Sequence, residues 1–305
     1  MLFFVGKCWP YAKKELSLHV VMTYNEFWQP LCSLYDAGEA KAIARMVMEV
    51  GYGLTMTDIL CDGVDRLSHS ALAALRERLA AGEPVQYVLG VAEFGGRTFR
   101  VGPGVLIPRP ETFELCQWII SEHQRGDMLD IGTGSGCIAC TLAAELTEAR
   151  LTAWDISTEA LSVAADNARR TGVGVTLVRQ DALRPPADRE RWDVIVSNPP
   201  YICRSEQSLM APNVVSHEPH TALFVPDDDA LCFYDAIARY AVGALRPGGC
   251  LYFEINPLYA SELEALLANC GLTAIETRAD QYGKKRMTKA CKPNERRPNS
   301  KPTRS

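Results

Sequence analysis

No apolar run in this chain approaches the roughly 20 residues that a membrane-spanning helix needs. The opening Leu2-Phe3-Phe4-Val5 is short and lacks a preceding basic cluster, so it does not read as a secretory signal. A basic surplus is also missing: 32 Lys and Arg stand against 37 Asp and Glu, a net charge of −5. A protein that grips a phosphate backbone usually carries the opposite balance, which disfavours nucleic acid as the main partner. The 11 cysteines have no regular spacing in a chain of 305 residues. Reduced thiols in a cytoplasm are the expectation, and the chain reads as soluble. Internal repeats are absent as well.

What is present is ordinary globular composition, 47% hydrophobic and 23% charged, at a length that suits two domains. Apolar residues recur at helical spacing from about Thr23 to Ala81, as in Ala42, Ile43, Met46, Val47 and Val50. Residues 23–82 are therefore expected to form a small helical domain. From residue 83 to 110 the texture changes to Gly, Pro and short β-prone runs (Val85 to Leu89, Thr98 to Val101, Val105 to Ile107), the mark of a β-rich connector. Residues 111–290 form the larger domain, and from Asp127 onward strand and helix patterns alternate, which predicts a mostly parallel sheet with helices on both faces. Residues 1–22 fit no element, and Met22 is an alternative start. Residues 291–305 are basic, with Lys292, Arg296, Arg297, Lys301 and Arg304, and are expected to be disordered.

The run Leu129-Asp130-Ile131-Gly132-Thr133-Gly134-Ser135-Gly136 follows a predicted strand and opens a predicted helix. Glycines there permit a tight turn and let a ligand press against bare backbone. Asp130 precedes the turn and is placed to receive a ligand ammonium or to hold the turn. Asp155 ends the next predicted strand, where an acid commonly accepts from ribose hydroxyls, and Asp181, followed by Ala182, ends the third. No Lys-Ser/Thr follows the glycines, so a phosphate-gripping P-loop does not fit. Structural alternatives exist for each part: a plain glycine turn, and aspartates that cap helices. Their occurrence in order at consecutive strand ends favours an adenosine pocket.

Directly after the fourth predicted strand stands Asn198-Pro199-Pro200-Tyr201. Two prolines fix φ and remove backbone donors, so the segment presents rigid acceptors. An amide or exocyclic amine is a poor nucleophile because its lone pair is delocalised. A catalyst must hold both N–H groups and turn that pair toward a methyl donor. The Asn198 side-chain oxygen and the Pro199 carbonyl can do this, with Tyr201 as a flat wall. The bland alternative is a proline turn.

On these residues the chain resembles the HemK family of release-factor glutamine methyltransferases, from about Tyr24 to Ala290. Further matches are Pro84-Val85-Gln86-Tyr87, Glu93-Phe94, Val105 to Thr112 (Val-Leu-Ile-Pro-Arg-Pro-Glu-Thr), Glu218-Pro219, Ala222-Leu223 and Gly248-Gly249. The resemblance implies a class I S-adenosylmethionine methyltransferase fold: a doubly wound, seven-stranded α/β sheet with its last strand antiparallel, behind a helical N-terminal domain. It implies S-adenosyl-L-methionine as cofactor, held by Gly132, Thr133, Gly134, Ser135, Gly136, Asp155, Asp181, Ala182 and Asn198, beside Asp130 as the turn itself suggests. Asn198, Pro199 and Tyr201 would be catalytic, with Pro200, Arg109 and Glu111 completing the substrate site and no metal. The implied substrate is the glutamine of the Gly-Gly-Gln loop of bacterial peptide chain release factors. Family members usually carry Glu-x-Gly after the fifth strand, whereas here Glu254 leads into Ile255-Asn256. The rival enzyme, an N6-adenine methyltransferase on DNA or RNA, poses the same two-acceptor problem but lacks the charge and a path for a flipped base. Cys137 and Cys140 lie at a helix start with no second pair at zinc spacing, so core packing is expected; His217 and His220 are read as loop anchors.

Overall fold

In the computed structural model, which describes residues 21–294, the chain divides after Ala81 into two compact units. The first is helical: α1 (Tyr24–Trp28), α2 (Ala37–Met46), α3 (Met56–Leu60) and α4 (His69–Ala80). Each start is chemically marked. Thr23 with Glu26 and Thr55 with Asp58 form reciprocal capping boxes, Asp36 accepts from Gly38 and Glu39, and Ser68 accepts from Ala71. The helices close on buried Phe27, Leu31, Ala44, Val47, Met48, Leu72 and Leu79.

The second unit begins with α5 (Val85–Leu89), the hairpin β1 (Val91–Phe94) and β2 (Arg97–Arg100), and α6 (Pro110–Glu122). Here the β-rich expectation needs correction. Val85–Leu89 is helical despite its β-prone residues, because Pro84 sits at its start and Gly90, at φ 73°, ends it one turn later. Val105 to Ile107 forms no strand; both residues are buried with Tyr87 and Val101 against Ala160, and Val105 accepts the Tyr87 hydroxyl at 2.6 Å.

The main sheet alternates with helices as the pattern predicts: β3 (Arg125–Ile131), α7 (Cys137–Glu145), β4 (Glu148–Asp155), α8 (Thr158–Thr171), β5 (Val175–Arg179) and β6 (Trp192–Ser197). An insert follows, containing β7 (Ile202–Cys203), α9 (Pro212–His217), α10 (His220–Leu223) and β8 (Phe224–Val225). Then come α11 (Cys232–Ala244), β9 (Leu245–Glu254), α12 (Ala260–Asn269), β10 (Thr273–Ala279) and β11 (Lys285–Cys291). The seven strands lie in the order β10-β11-β9-β6-β3-β4-β5. The five from β9 to β5 run parallel, and β11 is antiparallel to both its neighbours.

Strands in the middle of such a sheet are covered on both faces and read as continuous apolar runs, as Val194-Ile195-Val196 does. One core joins Ile195, Leu251 and Phe253 to Tyr234, Ile237, Leu263 and Leu267 of α11 and α12. The opposite one joins Met128, Val194 and Tyr252 to Leu115, Ile119, Ile138 and Leu142 of α6 and α7. Cys137 and Cys140 belong to this second core. Among the described residues the expectation of reduced thiols fails where Cys250 and Cys291 stand opposite each other on β9 and β11 and are disulfide-bonded. Sequence spacing gave no sign of the pair because its 41-residue separation is bridged by strand register. The structured chain also runs past residue 290. Cys291 is in β11 and the Lys292 ammonium donates to the Leu245 carbonyl; Arg296, Arg297, Lys301 and Arg304 lie outside the described residues.

Candidate active site

At the carboxyl end of β3 the chain turns through Gly132, Gly134 and Gly136, with φ of 75°, 54° and 79°. The turn is tied to the neighbouring strand by two bonds, from the Gly132 and Thr133 amides to the Trp154 carbonyl, both 2.9 Å. Gly136 is required twice over. Besides its φ, a Cβ there would stand 3.0 Å from the Ala164 Cβ of α8 and 3.1 Å from its Cα. At Gly132 and Gly134 a Cβ would meet nothing within 4 Å, so these two positions border open space.

Asp155, at the end of β4, is half-buried beside this turn. It accepts from the Gly134 amide and from the Ser157 amide, both at 2.9 Å. Asp130 lies beneath, fully buried. Its Oδ2 accepts from the Thr133 hydroxyl at 2.6 Å and the Ala139 amide at 3.3 Å, while Oδ1 has no partner. Burial pushes its carboxyl up to about 7, Asp155 adding to the rise and the two hydrogen bonds opposing it. Ser135 is buried with an unpartnered hydroxyl. Asp181 does not end a strand, as the sequence suggested. It lies two residues beyond β5, where Gln180 donates to the Asp155 carbonyl, and it accepts from its own Leu183 amide. Ala182 packs against the sheet core.

Asn198 follows β6, the strand next to β3, and borders a cavity of about 230 Å³. Its walls include Leu106, Arg109, Pro199, Tyr201, Val214 and Glu254. The side chains are wired together. Asn198 Nδ2 donates to Thr112 Oγ1 at 3.2 Å, and the Thr112 hydroxyl donates to Glu254 Oε2 at 2.5 Å. The Tyr201 hydroxyl donates to Glu254 Oε1 at 3.0 Å. Burial raises the Tyr201 phenol well above its ordinary range, the nearby Glu254 charge adding to it, so Tyr201 stays a neutral donor. Burial likewise raises the Glu254 carboxyl, against the hydrogen bonds from Thr112 and Tyr201.

Arg109 reaches the cavity and pairs with Glu218 Oε1 at 2.5 Å; Glu218 Oε2 accepts the Ile107 amide. This buried carboxylate fastens the insert to the segment before α6. Glu111 sits in the first turn of α6 and is not among the cavity-lining residues, and neither is Pro200. His217 and His220 bond to backbone carbonyls of the insert, Asn213 and Val215. Thr112 and Glu254 as hub residues were not legible in the sequence as functional. They lie 142 positions apart and meet only because α6 packs on one face of the sheet with its first turn at the end of β9.

The arrangement therefore has two halves at one sheet edge: a glycine turn with acids beside open space, and a rigid acceptor segment over a small cavity. Open α/β sheets bind ligands at this edge. Two family models match the chain, a methyltransferase small domain over residues 114–221 and the PrmC N-terminal domain over residues 32–90. A release factor glutamine methyltransferase from Bacteroides thetaiotaomicron is 42% identical over 86% of this chain and 96% of its own. Proteins of the same name from Flavobacterium psychrophilum and Bordetella pertussis are 38% and 37% identical, over 87% and 84% of this chain and 96% of theirs. With near-complete coverage at such identity, the chain belongs to the release factor glutamine methyltransferase family.

Proposed function

We propose that this protein transfers a methyl group from S-adenosylmethionine to the side-chain amide nitrogen of the glutamine in the Gly-Gly-Gln loop of bacterial peptide chain release factors, in the cytoplasm. The observation that carries the reading is Asn198: it borders the cavity while its Nδ2 is committed to Thr112, which leaves Oδ1 as the acceptor it can offer. The residues at the glycine turn fit the cofactor. Open space over Gly132 and Gly134, the Asp155 carboxylate beside them and the orphaned Asp130 Oδ1 suit a ligand with a sugar and positive charge.

When bound, the cofactor supplies an activated methyl on a sulfonium, an electrophile with a good leaving group. Gly132 to Gly136, Asp130, Asp155, Asp181 and Ala182 would hold it. The protein's own work is then positioning and electrostatics. Asn198 Oδ1 and the Pro199 carbonyl accept the two N–H groups of the substrate amide, which turns the nitrogen lone pair out of conjugation and toward the donor. Tyr201, held through its hydroxyl by Glu254, walls the planar amide. Arg109 and Glu218 keep the insert closed over the mouth. No strong general base is needed, because the methylated nitrogen becomes acidic and releases its proton to solvent.

The test is incubation with methyl-labelled S-adenosylmethionine and separate pools of release factor, DNA and RNA. Label in the release factor alone is expected. Label in nucleic acid alone would overturn the proposal and favour an adenine amine as acceptor.

A further inference from the structure

We infer that Glu254 is a positioning residue that fixes which end of the Asn198 amide faces the acceptor, acting through the Thr112 hydroxyl. The inference rests on the proposed role of Asn198 and names what aligns it. Glu254 is 2% exposed at the end of β9, and each of its oxygens takes one hydroxyl: Thr112 on Oε2 and Tyr201 on Oε1. An ionised carboxylate only accepts, and the Thr112 and Tyr201 hydroxyls that donate to Glu254 favour that form against the opposing effect of burial, while a hydroxyl has a single hydrogen. Thr112 therefore commits its hydrogen to Glu254 and turns lone pairs toward Asn198, 3.2 Å away. Only the NH2 end of Asn198 can meet a lone pair. The oxygen must be the other end.

The chain of bonds thus has one direction, from Asn198 to Thr112 to Glu254. Without the carboxylate the Thr112 hydroxyl is free to donate to the Asn198 oxygen. The amide then flips and presents donors to a substrate nitrogen that needs acceptors. The same strand end holds Tyr201 twice, since Asn256 Nδ2 donates to the Tyr201 carbonyl at 3.1 Å. Asn256 thus pins the wall residue at its backbone, while Glu254 holds it at its hydroxyl.

The experiment uses the full-length protein, an intact bacterial release factor and methyl-labelled S-adenosylmethionine, with wild type, Thr112→Val, Thr112→Ser and Glu254→Gln compared. Valine keeps the volume and loses the hydroxyl. It is expected to lower kcat by on the order of 10- to 100-fold, as for a misaligned catalytic group, while KM for the release factor and the cofactor Kd stay near wild type. Serine keeps the hydroxyl and is expected to restore most of the rate. Glu254→Gln leaves one acceptor for two hydroxyls and should lower kcat in the same manner. A wild-type kcat in Thr112→Val, or a serine variant as slow as valine, overturns the inference. So does a wild-type kcat in Glu254→Gln, which decides the matter even where the valine variant does not fold. Failure of the wild type to label the release factor would instead reject the proposed function.

Discussion

The glycine turn after β3 is a place where fold and ligand make separable demands, and replacing Gly136 or Gly134 with alanine should pull them apart. At Gly136 the residue sits at φ 79°, and an alanine there costs about 1–2 kcal/mol in backbone strain. The added methyl also stands 3.0 Å from Ala164 Cβ and 3.1 Å from Ala164 Cα, a contact that only a shift of α8 relieves, at about 1–3 kcal/mol. The stiffer unfolded chain returns about 0.4–1 kcal/mol. Gly136→Ala should therefore lower the stability of the cofactor-free protein by about 1–5 kcal/mol. At Gly134 the φ is 54° and nothing lies within 4 Å, so only the backbone cost remains, a net of about 1 kcal/mol. Its methyl instead enters the space assigned to S-adenosylmethionine. Urea unfolding of the cofactor-free protein with calorimetric titration of the cofactor measures both. Gly134→Ala should bind at least about tenfold more weakly, a loss of roughly 1.4 kcal/mol. Equal loss of stability in the two variants, or wild-type cofactor affinity in Gly134→Ala, would refute the division of labour.

Other expectations follow from the same geometry. Asn198→Ala removes an acceptor from the substrate amide and should lower kcat by roughly 100-fold or more, as for one pre-organised hydrogen-bonding group, with a smaller change in KM; single-turnover methylation at saturating release factor and cofactor reads this. Asp155→Ala should weaken S-adenosylmethionine binding, since charge-assisted bonds are worth about 1.5–3 kcal/mol each; unchanged affinity by calorimetry would remove Asp155 from the ribose assignment. The Asp130 carboxyl is raised to about 7 in the fold, so the folded protein holds a proton that the unfolded chain has released. Its contribution to stability is complete below the unfolded pKa, about 4, and is lost as pH rises toward 7. Melting of the cofactor-free protein followed from pH 5 to 8 should show this fall, and Asp130→Asn should flatten it; an identical pH slope in the variant would assign the titration elsewhere.

The parallel sheet was legible because buried strands such as Val194-Ile195-Val196 and capped helices such as α8, with Ser157 as its N-cap and Gly172 as its C-cap, each announce themselves locally. The glycine turn and Asn198 to Tyr201 were legible for the same reason, each being contiguous. Val85–Leu89 misled because a five-residue, mostly apolar run fits a strand or a helical turn equally well, and the flanking Pro84 and Gly90 decided it. Thr112 and Glu254 could not be found by spacing, since strand order and the seat of α6 bring them together. The same holds for Cys250 and Cys291, and for Glu218, whose partner Arg109 lies 109 positions away.

In the proposed reaction one glutamine amide nitrogen receives the methyl group. The transfer is measured most directly by fragment mass spectrometry of an unmethylated bacterial release factor after incubation with this protein and S-adenosylmethionine. A single added methyl is expected on the glutamine of the Gly-Gly-Gln loop, absent with Asn198→Ala over the same time. A methyl on any other residue with that glutamine unmodified, or no methyl on the release factor at all, would contradict it.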